Sequence, residues 1–89
     1  MKAVITVIGK DRVGITASVC TLLAENQINI LDITQTVLEG YFTMIMLVDT
    51  EKSPKTFDEI GEALKEKETE TGLTIRIQRE DIFHAMHRI

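Results

Sequence analysis

The chain has 89 residues, 44% of them apolar, and a net charge of −4, which describes one small acidic domain; with no Trp, one Tyr and three Phe its core must be aliphatic. The charge argues against a nucleic-acid backbone or an anionic membrane as the main partner. One cysteine, Cys20, excludes an internal disulfide framework, no signal-peptide pattern follows Met1-Lys2, and no stretch nears the roughly 20 apolar residues of a membrane span, so a cytoplasmic protein is expected.

Lys2 to Ile8 reads as a strand whose two alternating sets, Ala3/Ile5/Val7 and Val4/Thr6/Ile8, are both mostly apolar. Such a strand belongs in the middle of a sheet. Gly9-Lys10-Asp11-Arg12-Val13-Gly14-Ile15-Thr16 follows as a strand-to-helix turn. Asp11 is placed to cap the helix, and Gly14 falls in its first turn. The helix runs from about Arg12 or Val13 to Asn26. Val13, Ala17, Cys20 and Ala24 share one side, and Ile15, Val19, Leu22 and Leu23 widen the apolar surface. A helix apolar on so many sides is covered on more than one, by the sheet and by a second subunit.

Ile28 to Glu39 reads as a long strand of mixed polarity, suited to a sheet edge. Ile33 and Val37 share one face, and Asp32, Thr34 and Thr36 the other. Gly40 marks a tight hairpin into Phe42–Asp49, which is almost wholly apolar and hence central. A second helix opens either at Ser53-Pro54 or at the capping box Thr56-Phe57-Asp58-Glu59. Phe57, Ile60, Gly61 and Leu64 form its one apolar stripe, and Thr71-Gly72 ends it. Leu73 to Arg79 alternates as a strand with Leu73, Ile75 and Ile77 inward. Residues 80–89 read as a short amphipathic helix, with Ile82, Ala85, Met86 and Ile89 on one face, too short to stand alone.

The order β-α-β-β-α-β implies an α+β fold of ferredoxin-like type over residues 1–79, a four-stranded antiparallel sheet with both helices on one face, followed by the short C-terminal helix of 80–89. The first and third strands are central, the second and fourth are edges.

Fold alone assigns no function. Cys20 sits in an apolar stretch and reads as a core residue. His84 and His87 make a weak metal pair without a third ligand, so no metal site is expected. No base is placed to activate a nucleophile, and no acidic pair stands out, so neither catalytic residues nor a cofactor are expected. What remains is the first turn, where free N–H groups at a helix start favour a small anion such as a carboxylate, together with Asn29. The plainer reading is that Asp11 caps, Gly14 relieves packing and Asn29 makes a turn. In this topology the turn and Asn29 lie at opposite ends of the first helix, so they would meet most readily across a dimer.

The pieces Asp11-Arg12-Val13-Gly14-Ile15, Leu22-Leu23-Ala24-Glu25 and Ile28-Asn29-Ile30-Leu31-Asp32-Ile33, running on through Thr34-Gln35-Thr36-Val37 to Gly40-Tyr41-Phe42-Thr43-Met44, resemble the ACT domain family. The chain is similar to stand-alone ACT proteins and to the ACT segments of glycine-cleavage regulators and formyltetrahydrofolate deformylases. The resemblance implies a regulatory module, usually dimeric, that binds amino acids or other small metabolites where two domains meet. Carried onto this chain, the ligand positions are Asp11, Arg12, Val13, Gly14, Ile15, Asn29 and Ile30. Val13 departs from the pattern, which usually has Pro there. The resemblance also implies that the signal passes to another protein chain. A ligand-free interaction module, using a sheet edge or the C-terminal helix, is the competing reading.

Overall fold

The computed structural model of the chain describes residues 1–10 and 12–80. The expected element order is present: β1 (Lys2–Lys10), α1 (Ile15–Glu25), β2 (Asn29–Leu38), β3 (Tyr41–Asp49), α2 (Phe57–Thr71) and β4 (Thr74–Arg79). The four strands form one antiparallel sheet in the order β2-β3-β1-β4. The two most apolar strands are therefore the inner ones, as a strand with two buried faces requires.

One face of the sheet carries Ala3, Ile5 and Val7 of β1 beside Phe42, Met44, Met46 and Val48 of β3, all buried. Both helices pack on this face. α1 contributes Ile15, Val19 and Leu23, and α2 contributes Ile60 and Leu64, with Phe57 partly buried beside them. The α1 core stripe is thus narrower than the apolar surface of that helix. Ala17 and Ala24 are exposed, Cys20 is half-buried, and Val13 precedes the helix and is fully exposed. Cys20 is at the helix flank and not in the core; its partial burial pushes the thiol pKa up and disfavours the reactive thiolate.

Among the described residues β2 pairs only with β3, and it is exposed along almost its whole length. Its register slips by one residue at Leu31, so Ile30 stands opposite Val48 and Ile33 opposite Met46. That bulge turns two isoleucines three residues apart toward the same, helix-bearing face. The hairpin after β2 is a two-residue turn with positive φ at both Glu39 (51°) and Gly40 (79°), the geometry that matches strand twist.

α2 begins at the capping box and not at Ser53-Pro54. The Thr56 side chain accepts from the Glu59 N–H at 3.2 Å, and the Glu59 carboxylate accepts from the Thr56 N–H at 2.9 Å. These bonds satisfy two of the donors that every helix start leaves open. They also hold the Glu59 carboxyl below its ordinary pKa, chiefly through the Thr56 N–H. Residues 81–89, where most of the C-terminal helix was expected, lie outside the described residues, as does Asp11.

Thr56→Ala should cost about 1 kcal/mol in equilibrium denaturation. A lowered folded pKa contributes stability that is present above the unfolded carboxylate pKa and is lost as pH falls through the folded value. The stability gap between the native chain and Glu59→Gln should accordingly shrink as denaturation is repeated at successively lower pH through the carboxylate range; a gap that stays constant would remove the charge from the cap.

Candidate functional site

The turn between β1 and α1 is built differently from its expected form. The helix starts at Ile15, and its N-cap is Gly14, not Asp11. Gly14 has φ 90° and ψ 1°, the left-handed region, so it precedes the helix and does not lie in its first turn. A Cβ placed there would meet nothing within 4 Å. Backbone conformation is therefore what demands glycine, and relief of packing is not. The Gly14 carbonyl accepts the first helical bond from the Ser18 N–H at 2.9 Å.

Glycine has no side chain to cap with, and no acidic residue occupies the first turn. The N–H groups at the start of α1 thus carry the partial positive charge of the helix without a compensating side chain from the cap position or the first turn. Val13, in front of them, points wholly into solvent.

Two side chains fix the turn to the rest of the domain. Arg12 donates from its guanidinium to the Thr71 carbonyl in the last turn of α2, a cation at the negative end of a helix. Thr16 donates from its hydroxyl to Gln35 Oε1 at 3.3 Å, joining the start of α1 to the edge strand β2. Neither link shows in local sequence pattern, because the partners lie 59 and 19 residues away. The turn also shares its end of the sheet with the β2–β3 hairpin, since Lys10 pairs with Tyr41 and Tyr41 with Leu38.

Asn29 and Ile30 are at the other end. Asn29 is exposed and pairs with Asp49, which faces Lys2 across β3 and β1. Lys2 to Lys10 spans about 26 Å of strand, so within one chain Asn29 cannot share a small ligand with the turn. Ile30 is half-buried against the core. The chain reaches Asn29 through the buried Asn26, whose amide donates to the Leu22 carbonyl at 2.8 Å and closes α1. Asn29 itself lines a shallow depression of about 310 Å³ with Asp49, Glu51 and Lys52. The Glu51 N–H, 3.0 Å from Asp49 Oδ1, holds that carboxyl below its usual range; burial opposes it, and the N-terminal ammonium at 3.5 Å and Lys2 add to the lowering. The charged segment after β3 was the available signal for this depression, and its position at the strand end gave it no apparent link to Asn29.

Among the described residues no group of three His, Cys, Asp or Glu side chains is placed to hold a metal ion, and no helix is long and apolar enough to cross a membrane.

Comparison with known proteins gives concordant results. Residues 2–78 match the model of the ACT domain. A UPF0237 protein of Clostridium acetobutylicum is 55% identical over 89 residues, covering the whole of both chains. An ACT domain protein from Streptococcus pneumoniae has the same fold, with a TM-score of 0.82, 41% identity and 93% of each chain covered. A formyltetrahydrofolate deformylase from Pseudomonas syringae superposes with a TM-score of 0.80 and 26% identity, over 88% of this chain and 27% of that one.

Gly14→Ala should destabilise the domain by roughly 1–2 kcal/mol in thermal or chemical denaturation, in spite of the open space around it. Gly61→Ala, inside α2 with only Ile77 at 4.0 Å, should instead stabilise by about 0.5–1 kcal/mol. Equal effects at the two positions would show that the turn places no special demand on the backbone.

Proposed function

The chain belongs to the ACT domain family, and from that premise we propose that it is a non-catalytic regulatory module of the cytoplasm that binds a small carboxylate-bearing effector, an amino acid, at the interface of a homodimer and passes the signal to a partner protein. The observation that carries the reading is the contact between Thr16 and Gln35. It sets the start of α1, which lacks a side-chain cap, against the one long edge of the sheet that has no strand beside it.

That edge has the chemistry of an interface. Leu31, Ile33, Val37, Leu38 and Tyr41 are all exposed on or beside β2, and a free strand edge offers a row of unpaired backbone donors and acceptors. Two-fold pairing of β2 with its counterpart is isologous, so each residue meets its mirror position. With the axis near the middle of β2, between Ile33 and Thr34, the partner's Asn29 comes opposite Leu38. This brings Asn29 to the hairpin end, where the turn of 12–14 and Ile15 stands. The two halves of the candidate site, about 26 Å apart in one chain, then form one pocket in two. Asp11 and Ile30 belong to the same proposal, the first at the turn and the second behind Asn29.

In this pocket the first-turn N–H groups of α1 receive the effector's carboxylate. Asn29, with a carbonyl acceptor and an amide donor, suits the ammonium and carboxylate of an amino acid. Binding acts by its differential affinity for two arrangements of the subunits, typically about 1–3 kcal/mol.

Ile33→Glu combined with Val37→Glu should leave the fold intact, since both side chains are already exposed, and should convert a dimer to a monomer in sedimentation velocity. Calorimetry against the common amino acids should find a ligand for the native chain and at least tenfold weaker binding in this variant. If no amino acid binds and the variant captures partner proteins as the native chain does, the ligand-free interaction module takes its place.

A further inference from the structure

α2 and β4 leave a groove between them along one edge of the sheet. Ile75 pairs with Val7 and Ile77 with Ile5, and in an antiparallel ladder alternate residues send their N–H and carbonyl to opposite sides. The Ile75 N–H donates to Glu68 Oε1 of α2 at 2.8 Å, so Ile75 turns away from β1, and Ile77 turns the same way. The donor at Ile75 is thus held by a half-buried carboxylate, while Ile77 lines a depression of about 280 Å³. Leu64, Ile75 and Ile77 make its apolar floor.

Gly61 forms its wall. That glycine lies inside α2 with ordinary helical backbone, where it is less favourable than alanine. A Cβ there would meet only Ile77 Cγ2, at 4.0 Å. Neither backbone conformation nor packing within the chain demands glycine; its bare wall leaves width beside Ile77 for another main chain. The two lips carry Lys65 on the helix and Arg76 on the strand, both exposed, and among the described residues neither is in an ion pair. The carboxylate in the groove, Glu68, is taken up by the Ile75 N–H. In a chain of net charge −4, this groove presents two unpaired cations.

Arg76 alternates with Ile75 and Ile77 and therefore stands on the opposite face of the sheet. We infer that the groove takes an extended segment of a partner protein as a fifth strand on β4, with apolar side chains toward Leu64 and Ile77 and an acidic one between them, beside Arg76. The backbone of that segment meets the Ile77 N–H and carbonyl and displaces Glu68 from Ile75. Charge selects this occupant over the β4 of a second copy, which would bring Arg76 against Arg76. The inference rests on the partner-signalling part of the proposed function and on nothing that concerns the effector.

The test uses a short fluorescent peptide of alternating valine and aspartate, blocked at both ends, with a valine–lysine peptide as its control. Fluorescence anisotropy should show saturable binding of the first and at least about tenfold weaker binding of the second. Arg76→Glu should reverse that preference. Gly61→Leu, which fills the groove, should weaken the valine–aspartate peptide at least about tenfold in a chain that still melts cooperatively; should it fail to fold, Arg76→Glu decides alone. In saturating peptide the Ile77 amide should exchange at least about tenfold more slowly, with no change along β2. The Ile33→Glu, Val37→Glu variant should bind the peptide as the native chain does, whether or not it binds an amino acid, so failure of the effector and failure of the groove are read separately. A preference unchanged by Arg76→Glu, protection along β2 in place of Ile77, or no saturable binding below about 1 mM overturns the inference. So does a change in the sedimentation of the chain alone on Arg76→Glu, which would assign the edge to a second copy.

Discussion

The antiparallel pairing of β1 with β3, from Lys2 opposite Asp49 to Lys10 opposite Tyr41, is the constraint on which the rest depends. It brings both fully apolar alternating sets, Ala3/Ile5/Val7 and Phe42/Met44/Met46/Val48, onto one face, where the helices cover them. A slip of one residue would put the two sets on opposite faces, leaving one of them without cover from the helices. The same register decides where the functional groups go. The β1–α1 turn and the β2–β3 hairpin are held at one end of the sheet, and Asn29 with the Asp49 depression at the other.

From that arrangement follows the division of the candidate site. Residues 12–15 and 29–30 are close to the two ends of α1 and do not meet within a chain. Arg12 and Thr16 serve the turn in a way that a ligand-centred reading does not anticipate, one bonded to α2 and the other to β2. The turn therefore spans the domain from one flank to the other at the end of the sheet. A shift of its backbone would be felt both at the edge strand and at the end of the second helix, the physical route that the proposed effector would use to change the surface.

Much of the fold was legible because it rests on patterns with a single cause. β1 and β3 could be placed inside the sheet from their two apolar faces, β2 at the edge from its mixed one, and the hairpin from Gly40. The α2 start had two competing signals, and Thr56 with Glu59 prevailed because a capping box satisfies two donors where a proline satisfies none. The first turn was less legible. Asp11 and Gly14 are both common near helix starts, and only the φ of 90° at Gly14 distinguishes a cap position from a first turn. The wide apolar surface of α1 was read as needing more than one cover. Its buried stripe is narrow, Cys20 and Leu22 are half-buried, and Ala17, Ala24 and Val13 are exposed, which keeps that reading as part of the proposal. The bulge at Leu31 left no mark in the sequence, since an extra residue in a strand looks like any other.

A four-stranded sheet of this order has two edges, and they are unlike in charge. β4 is short, six residues, and carries the exposed Arg76, a charge that disfavours the approach of a second such edge. β2 offers ten residues with Asp32 as its one charge. Sheets that can add strands on both sides grow into fibres, whereas sheets that add on one side stop after a single step. In the proposed dimer the uneven placement of a few charges would thus give assembly a polarity, one side open to a neighbour and the other disfavoured, so that pairing through β2 would stop at two copies.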